Sequence, residues 1–132
     1  MSEIAGCGID IEELARFSRH LPVNESIPDL WHMISTEEEI SINRQVSPHV
    51  SFPLSFSCKE AMFKALGRSW TNSNISWKEI ELIFQDHQLG GDFLIRLSGH
   101  ALERYRALNC TRIESAFSFT DDYVIFQIIL HS

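Results

Sequence analysis

The chain has 132 residues, of which 44% are hydrophobic and 22% are charged, and this composition suits a single globular domain over residues 1–132. Its formal net charge of −7 argues against nucleic acid as a partner, and since no apolar run approaches the length of a membrane span we expect no membrane partner. Three scattered cysteines, in no Cys-x-x-Cys arrangement, favour reduced thiols in a cytoplasmic protein over a disulfide framework or a zinc site.

The first part of the chain predicts one strand followed by several helices. A strand is expected where a short apolar run is punctuated by glycine, and helices where capping residues precede apolar ones. In order, these elements are a buried strand at residues 4–11, a helix at 12–20, a short helix at 28–34, a helix capped by Ser35 or Thr36 that ends near Arg44, and a central helix that opens at Ser55 or Ser57 and stops at Gly67. Pro48 and Pro53 predict a loop over residues 45–53.

The second part of the chain is richer in strands. Residues 77–84 and 92–98 alternate between apolar and other side chains, and Gly90-Gly91 between them predicts a hairpin turn. The remaining elements are a helix at residues 99–108 and two strands at 112–120 and 123–130, which flank a tight turn at Asp121-Asp122. This order of elements indicates an α+β fold with helices packed on a mostly antiparallel sheet.

Two short blocks of sequence carry the chemistry. In Gly8-Ile9-Asp10-Ile11-Glu12 the two carboxylates lie at i and i+2, so on a strand they point the same way. In the run from Phe56 to Gly67, Glu60 and Lys64 lie one helical turn apart on one face. Brought together, the blocks give three carboxylates beside lysines. Oxygen ligands with open positions suit Mg²⁺, whose other ligands are usually waters and substrate phosphates, so metal-assisted phosphoryl transfer is the expected chemistry.

Each of these residues also has an ordinary interpretation. Asp10 alone would be read as a helix N-cap, and Glu12 as a first-turn acid that serves the helix dipole. Glu60 and Lys64 would be read as a surface ion pair, although the apolar residues around them leave little polar surface on that helix. The occurrence of both blocks in one chain, in this order, favours the functional interpretation.

The two blocks resemble the 4′-phosphopantetheinyl transferase superfamily. Its pattern is a strand ending in Gly-[Ile/Val]-Asp and a later helix with Lys-Glu-[Ala/Ser]-x-x-Lys. The opening block, including the spacing from Asp10 to Arg16, is similar to the small holo-acyl-carrier-protein-synthase type. Residues 56–65 look at least as much like the larger type that activates peptide synthetases. The resemblance implies the fold of that superfamily.

The resemblance also implies an activity: the 4′-phosphopantetheine arm of coenzyme A passes to a serine of an acyl or peptidyl carrier protein. Asp10 and Glu60, with Glu12 or water, would hold Mg²⁺, and Lys64 would contact the phosphates. Gly67 and Arg68 would lie beside the nucleotide. A carboxylate such as Glu60, a metal-bound water or Lys59 would take the proton from the serine, and the sequence leaves these three open.

The expected partners follow from the same resemblance. Arg16 and Arg19 lie three residues apart near the end of the predicted first helix, and we expect them to dock the carrier protein; the alternative is that they only complement the helix dipole. Sites shared between subunits are implied for the small type, so a homotrimer is expected first and a dimer second.

Three positions depart from the small-type pattern. Phe119 stands in Ser118-Phe119-Thr120 where the family usually has a histidine. Gly67-Arg68-Ser69 replaces Gly-Thr-Gly, and Ser55 stands where an arginine is common. The missing histidine and the acidic balance favour an alternative function, in which the chain is a weak or inactive relative that serves as a binding or scaffold subunit of a biosynthetic complex. The retained carboxylates and lysines of the two blocks favour the enzyme.

Overall fold

The computed structural model describes residues 3–24 and 26–132. Its strands are β1 (Ile4–Glu13), β2 (Ile80–Phe84), β3 (Phe93–Leu97), β4 (Arg112–Phe119) and β5 (Tyr123–His131). Its α-helices are α1 (Asp29–Ile34), α2 (Glu37–Asn43), α3 (Pro48–Ala65) and α4 (Gly99–Ala107), and the segments Leu14–His20 and Trp77–Glu79 are 3-10 helices. Among the described residues, no helix is long and apolar enough to cross a bilayer.

The strands form two antiparallel sheets. One has the order β1-β5-β4 and the other is the β2-β3 hairpin. In the larger sheet Asp10 pairs with Phe126 and Glu12 with Val124. Helix α3 packs across β1 and β5 and also contacts β2, so it lies between the two sheets. The predicted α+β class with antiparallel pairing is confirmed.

Backbone packs directly on backbone where α3 crosses β1. A Cβ added at Gly6 would lie 2.0 Å from the carbonyl oxygen of Ala65. One added at Gly8 would lie 2.0 Å from the carbonyl oxygen of Ala61. Real atoms cannot approach so closely, so only glycine at these two positions allows α3 to lie this near the strand.

The expected loop over residues 45–53 is confirmed for 45–47 and wrong for 48–53, because α3 already begins at Pro48 and carries Pro53 inside it. Pro48 is tolerated because the N–H groups of the first helical turn have no acceptor within the helix, so proline loses no hydrogen bond there. Pro53 inside the helix costs about 3 kcal/mol. Phe52 and Leu54 are wholly buried beside it, and burying such a side chain is worth about 1.5–3 kcal/mol. Tertiary burial therefore outweighs the local preference of proline.

Two other elements differ from the sequence prediction. The helix expected at residues 12–20 is a 3-10 helix that starts at Leu14, because β1 continues to pair with β5 through Glu13. The strand expected from Trp77 begins at Ile80, after a short 3-10 helix. All five residues of β2 are buried because α2 and α3 cover this strand.

A second hydrophobic cluster joins the first 3-10 helix, α1, α2 and α3. It consists of Phe17, Trp31, Ile34, Ile40 and Phe52. The Trp31 ring lies 4.9 Å from that of Phe52 and 5.9 Å from that of Phe17, both within the range of attractive aromatic pairs. This cluster anchors α1 and the first 3-10 helix against α3.

We predict that Gly8→Ala destabilises the fold. Its new methyl group would collide with the backbone of α3, and overpacking of this kind costs roughly 1–3 kcal/mol or more. Gly90→Ala is the matched control, because nothing lies within 4 Å of the added Cβ. Urea denaturation should show the loss for Gly8→Ala alone. Equal stability of the two variants would contradict this close packing.

Candidate active site

Asp10 and Glu12 lie buried on the inner face of β1, side by side as their i, i+2 spacing predicts. Asp10 Oδ1 accepts a hydrogen bond from Lys64 Nζ at 3.2 Å. Asp10 Oδ2 is buried and, while Glu12 is ionised, has no hydrogen-bond donor among the described residues. A buried carboxylate oxygen without a donor is costly, so either the proton of Glu12 or a ligand with positive charge is needed to satisfy this atom.

Side chains of α3 hold the helix in register with β1. Ser57 Oγ donates to the carbonyl of Asp10 at 3.1 Å, and Lys64 Nζ donates to the carbonyl of Ile9 at 2.9 Å. With the glycine contacts, these bonds place Glu60 near Asp10 and Glu12. The two sequence blocks therefore meet in the fold, as the sequence analysis expects.

The site carries excess negative charge. Burial, a hydrogen bond that protonated Glu12 makes to Asp10, and the charge of Asp10 together raise the pKa of Glu12 to about 8, although Arg16 opposes the shift. Burial and the charge of Asp10 also raise the pKa of Glu60, against the opposing effect of Lys64. A bound cation would relieve this repulsion.

The carboxylate oxygens of Asp10, Glu12 and Glu60 are ligands that suit Mg²⁺, although they do not form a complete coordination shell. Within residues 3–24 and 26–132, no group of three or more His, Cys, Asp or Glu side chains is arranged to hold a metal ion. Mg²⁺ is usually bound by one or two carboxylates together with waters and phosphates, so a partial set of oxygen ligands suffices. Asp10, with its free oxygen, and the neighbouring Glu12 and Glu60 are the residues that would hold it.

Lys59 lies outside this group, although it precedes Glu60 in the sequence. Its ammonium is fully buried and pairs with the equally buried Glu39 at 2.9 Å. It also donates to the carbonyls of Trp77 and Ile80, so all three of its donors are engaged. The expectation that Lys59 takes a proton from the substrate does not fit this position.

The carboxylate of Glu39 is the other half of this buried group. It accepts hydrogen bonds from the backbone N–H groups of Thr36 and Leu82, both at 3.1 Å, and from Ser55 Oγ at 3.0 Å. The capping box between Thr36 and Glu39 is the signal that locates α2 in the sequence. That signal does not reveal the ion pair with Lys59, because the pair joins α2, α3 and β2.

The C-terminal end of α3 brings several cations together. Gly67 has φ +69° and ends the helix. Its backbone N–H donates a hydrogen bond to the carbonyl of Lys64, and the backbone N–H of Arg68 donates one to the carbonyl of Phe63. The side chain of Arg68 is exposed. Arg104 on α4 donates a hydrogen bond to the carbonyl of Leu66 at 3.0 Å and so joins these cations. The sequence gives no signal for this residue, because the contact spans 38 residues.

The remaining predicted positions lie on the surface. Arg16 and Arg19 are both exposed on the first 3-10 helix, and residues three apart on such a helix share a face. Arg16 Nη1 lies 3.7 Å from Glu12, which links it to the acidic group. Phe119 is exposed at the end of β4 and, with Phe93 and Phe117, lines a groove of about 490 Å³.

Comparisons with known proteins identify the family. A family model described as the 4′-phosphopantetheinyl transferase superfamily matches residues 6–125. This chain belongs to that superfamily. A holo-[acyl-carrier-protein] synthase of Geobacillus sp. (strain WCH70) is 34% identical over 130 residues, which are 96% of this chain and 96% of that protein.

Solved structures of the superfamily share the fold. The holo-[acyl-carrier-protein] synthase of Neisseria meningitidis matches with a TM-score of 0.77 and 24% identity, over 97% of this chain and 98% of that one. The synthase of Bacillus anthracis str. Ames, solved in complex with CoA (3′,5′-ADP), gives a TM-score of 0.74 and 23% identity, over 98% of this chain and 97% of that one. The predicted family, superfamily fold and transferase class are therefore confirmed.

We predict that Lys59→Met lowers stability by about 3–5 kcal/mol, because it leaves the charge of Glu39 buried and unpaired. The exposed Lys78→Met is the matched control and should change stability by about 0.5 kcal/mol at most. Urea denaturation measures both. A Lys59→Met protein that keeps wild-type stability and loses transfer would show instead that Lys59 acts in the chemistry.

Proposed function

We propose that this chain transfers the 4′-phosphopantetheine arm of coenzyme A to a serine hydroxyl of an acyl carrier protein. The observation that carries the proposal is the buried Asp10, which meets Lys64 on one oxygen and has a free second oxygen beside Glu12 and Glu60. The names of the relatives and the coenzyme A complex of a structural neighbour support the same substrates.

The proposed reaction is a displacement at phosphorus. The serine oxygen bonds to the phosphorus that carries the pantetheine arm, and the bond from that phosphorus to the bridging pyrophosphate oxygen breaks. Adenosine 3′,5′-bisphosphate leaves with the bond's electron pair, and the serine proton passes to a base. Little covalent work falls to the protein, so positioning and charge stabilisation account for the catalysis.

Each residue of the site has a proposed task in this reaction. Asp10, Glu12 and Glu60 would hold Mg²⁺, which supplies stabilisation of the charge that develops on the phosphates. Lys64 would bind the pyrophosphate, and Gly67 and Arg68 would lie beside the nucleotide. Glu60 is the carboxylate proposed to take the proton of the serine, since Lys59 is held in its buried ion pair with Glu39.

We predict that Asp10→Asn and Glu60→Gln each lower Mg²⁺-dependent transfer by roughly 100-fold or more, since charge stabilisation by a metal contributes several kcal/mol. Both variants should stay folded, because each removes a charge from an acidic group. The mass gain of the carrier protein measures transfer, and the exposed Glu103→Gln is the control.

Near-wild-type transfer by either variant would contradict the metal assignment. A thermal-shift assay with Mg²⁺ and coenzyme A then tests the alternative of an inactive scaffold. Ligand binding without transfer by the wild-type chain would favour that scaffold, and binding with transfer supports the enzyme.

We also propose that the chain is a homo-oligomer, with a trimer as the first choice and a dimer as the second. The outer face of the larger sheet supports this proposal, because Ile9, Ile11 and Tyr123 are about half exposed there, at 51%, 58% and 49%. An apolar sheet face of this kind is typical of an interaction surface. A second copy suits it, since closed symmetric assemblies are the usual outcome for soluble homo-oligomers.

The oligomer should dissociate when a charge is placed on this face. Light scattering is expected to give a trimer mass for the wild type and a lower mass for Ile11→Lys, because burying an unpaired ammonium is costly. Met33→Lys is the control, since Met33 is exposed on α1. A monomeric wild type would refute the proposal.

The acyl carrier protein is proposed to dock at Arg16 and Arg19, in a cytoplasmic pathway of fatty acid or polyketide synthesis. The net charge of −7 repels an acidic partner on average, so docking requires a local basic patch. Arg16 is exposed and its guanidinium is 3.7 Å from Glu12, which would bring the carrier serine near the acidic group. Three free cysteines support the reducing location.

We predict that Arg16→Glu raises the KM for the carrier protein roughly ten-fold and leaves the KM for coenzyme A unchanged, because reversing a rim charge mainly changes association. Arg106→Glu is the control with the same charge change at another exposed position. Steady-state kinetics at two salt concentrations measure both constants. An equal effect of the two variants would place the docking face elsewhere.

A further inference from the structure

Lys64 binds the same carboxylate that a divalent cation would use. Its ammonium lies 3.2 Å from Asp10 Oδ1 and 2.9 Å from the carbonyl oxygen of Ile9. The Lys64 side chain is 52% exposed, whereas that of Asp10 is 8% exposed. A half-exposed cation thus pairs with a buried anion.

We propose that Lys64 is an internal placeholder, which neutralises Asp10 in the metal-free protein and leaves when a divalent cation binds. The inference rests on the proposed function, because it takes Asp10 as a metal ligand. It goes further by making Lys64 and the cation competitors for one carboxylate. The arrival of the metal and the release of the ammonium are then one coupled event.

The surroundings of Asp10 support competition over simple coexistence. Three neighbouring carboxylates lie beside one half-exposed lysine, Lys64, and one exposed arginine, Arg16, so negative charge is in excess around Asp10. Burial and the charge of Asp10 raise the pKa of both Glu12 and Glu60 against these cations. Lys64 holds only one oxygen of Asp10, and the other, buried oxygen is unpaired while Glu12 is ionised, so the carboxylate has capacity for a cation. A divalent ion then offers twice the charge that the ammonium supplies.

Lys64 is also free to leave, in contrast to Lys59 on the same helix. Lys59 is 0% exposed and its three donors are fixed in three different directions. Lys64 is half exposed, so solvent weakens its pair, and its departure breaks only the hydrogen bonds to Asp10 and to the carbonyl of Ile9. The released ammonium stays one helical turn from Glu60, where it can meet a substrate phosphate.

Cation affinity provides the first test. Mg²⁺ binding to chelator-treated protein is measured by calorimetry without coenzyme A or carrier, for the wild type, Lys64→Met and Arg68→Met. Each variant loses one positive charge from the same end of α3, but only Lys64 contacts Asp10. We expect Lys64→Met to bind Mg²⁺ roughly 5-fold or more tightly than the wild type, the lower end of typical coupling between sites. Arg68→Met should stay close to the wild type.

The second test needs no variant, because the chain has three lysines with three different environments. Amine acetylation is followed residue by residue by mass spectrometry, with and without Mg²⁺. Lys78 is the exposed reference, and the buried Lys59 reports any unfolding. We expect Mg²⁺ to speed the labelling of Lys64 relative to Lys78 and to leave Lys59 unlabelled.

Two results would overturn the placeholder. One is Lys64 labelling that Mg²⁺ leaves unchanged, and the other is a gain in affinity for Lys64→Met no larger than that for Arg68→Met. Absence of Mg²⁺ binding to both the wild type and Lys64→Met would overturn it as well. Because both tests omit the substrates, a chain that passes them and transfers nothing would refute the proposed function and leave this inference standing.

Discussion

The close approach of helix α3 to strand β1 is the contact on which the site depends. Gly6 and Gly8 let the helix backbone touch the strand, and Ser57 and Lys64 bond to its carbonyls. Asp10 follows two residues after Gly8 on the same inner face, so the contact that packs the helix also fixes the distance between the two blocks. This contact between the backbones of α3 and β1, the seam, therefore packs the helix and also positions the carboxylates of the site.

Buried charge is handled in two different ways on the two sides of α3. On the side facing β2, Glu39 and Lys59 satisfy each other and their neighbours, so the pair fixes the position of the helix and leaves no capacity for a ligand. On the side facing β1, the carboxylates outnumber the cations, and one oxygen of Asp10 stays free. Unbalanced charge in a partly buried place is typical of functional sites, although structural ion pairs also shift pKa values.

The departures from the family pattern are concentrated away from this seam. Phe119 lies on the outer part of β4 in an aromatic groove, and Arg68 lies just beyond the end of α3. Arg104 from α4 supports the same helix end through the carbonyl of Leu66. The third departure, Ser55, donates a hydrogen bond to Glu39 in the buried ion pair with Lys59. The residues proposed for metal and phosphate binding are thus separate from the positions that differ.

The sequence by itself determined the order of elements, the capping box at Thr36 and the stop at Gly67, because each depends on spacing along one element. It also predicted that Asp10 and Glu60 lie near each other, because each belongs to a recognisable block. It did not determine that residues 48–53 are helical, that Arg104 reaches Leu66, or that Lys59 and Glu60 face different surroundings. Those outcomes depend on which elements cover each face of α3. A local pattern fixes the direction of a side chain on its own helix, but only the packed structure decides what that side chain meets there.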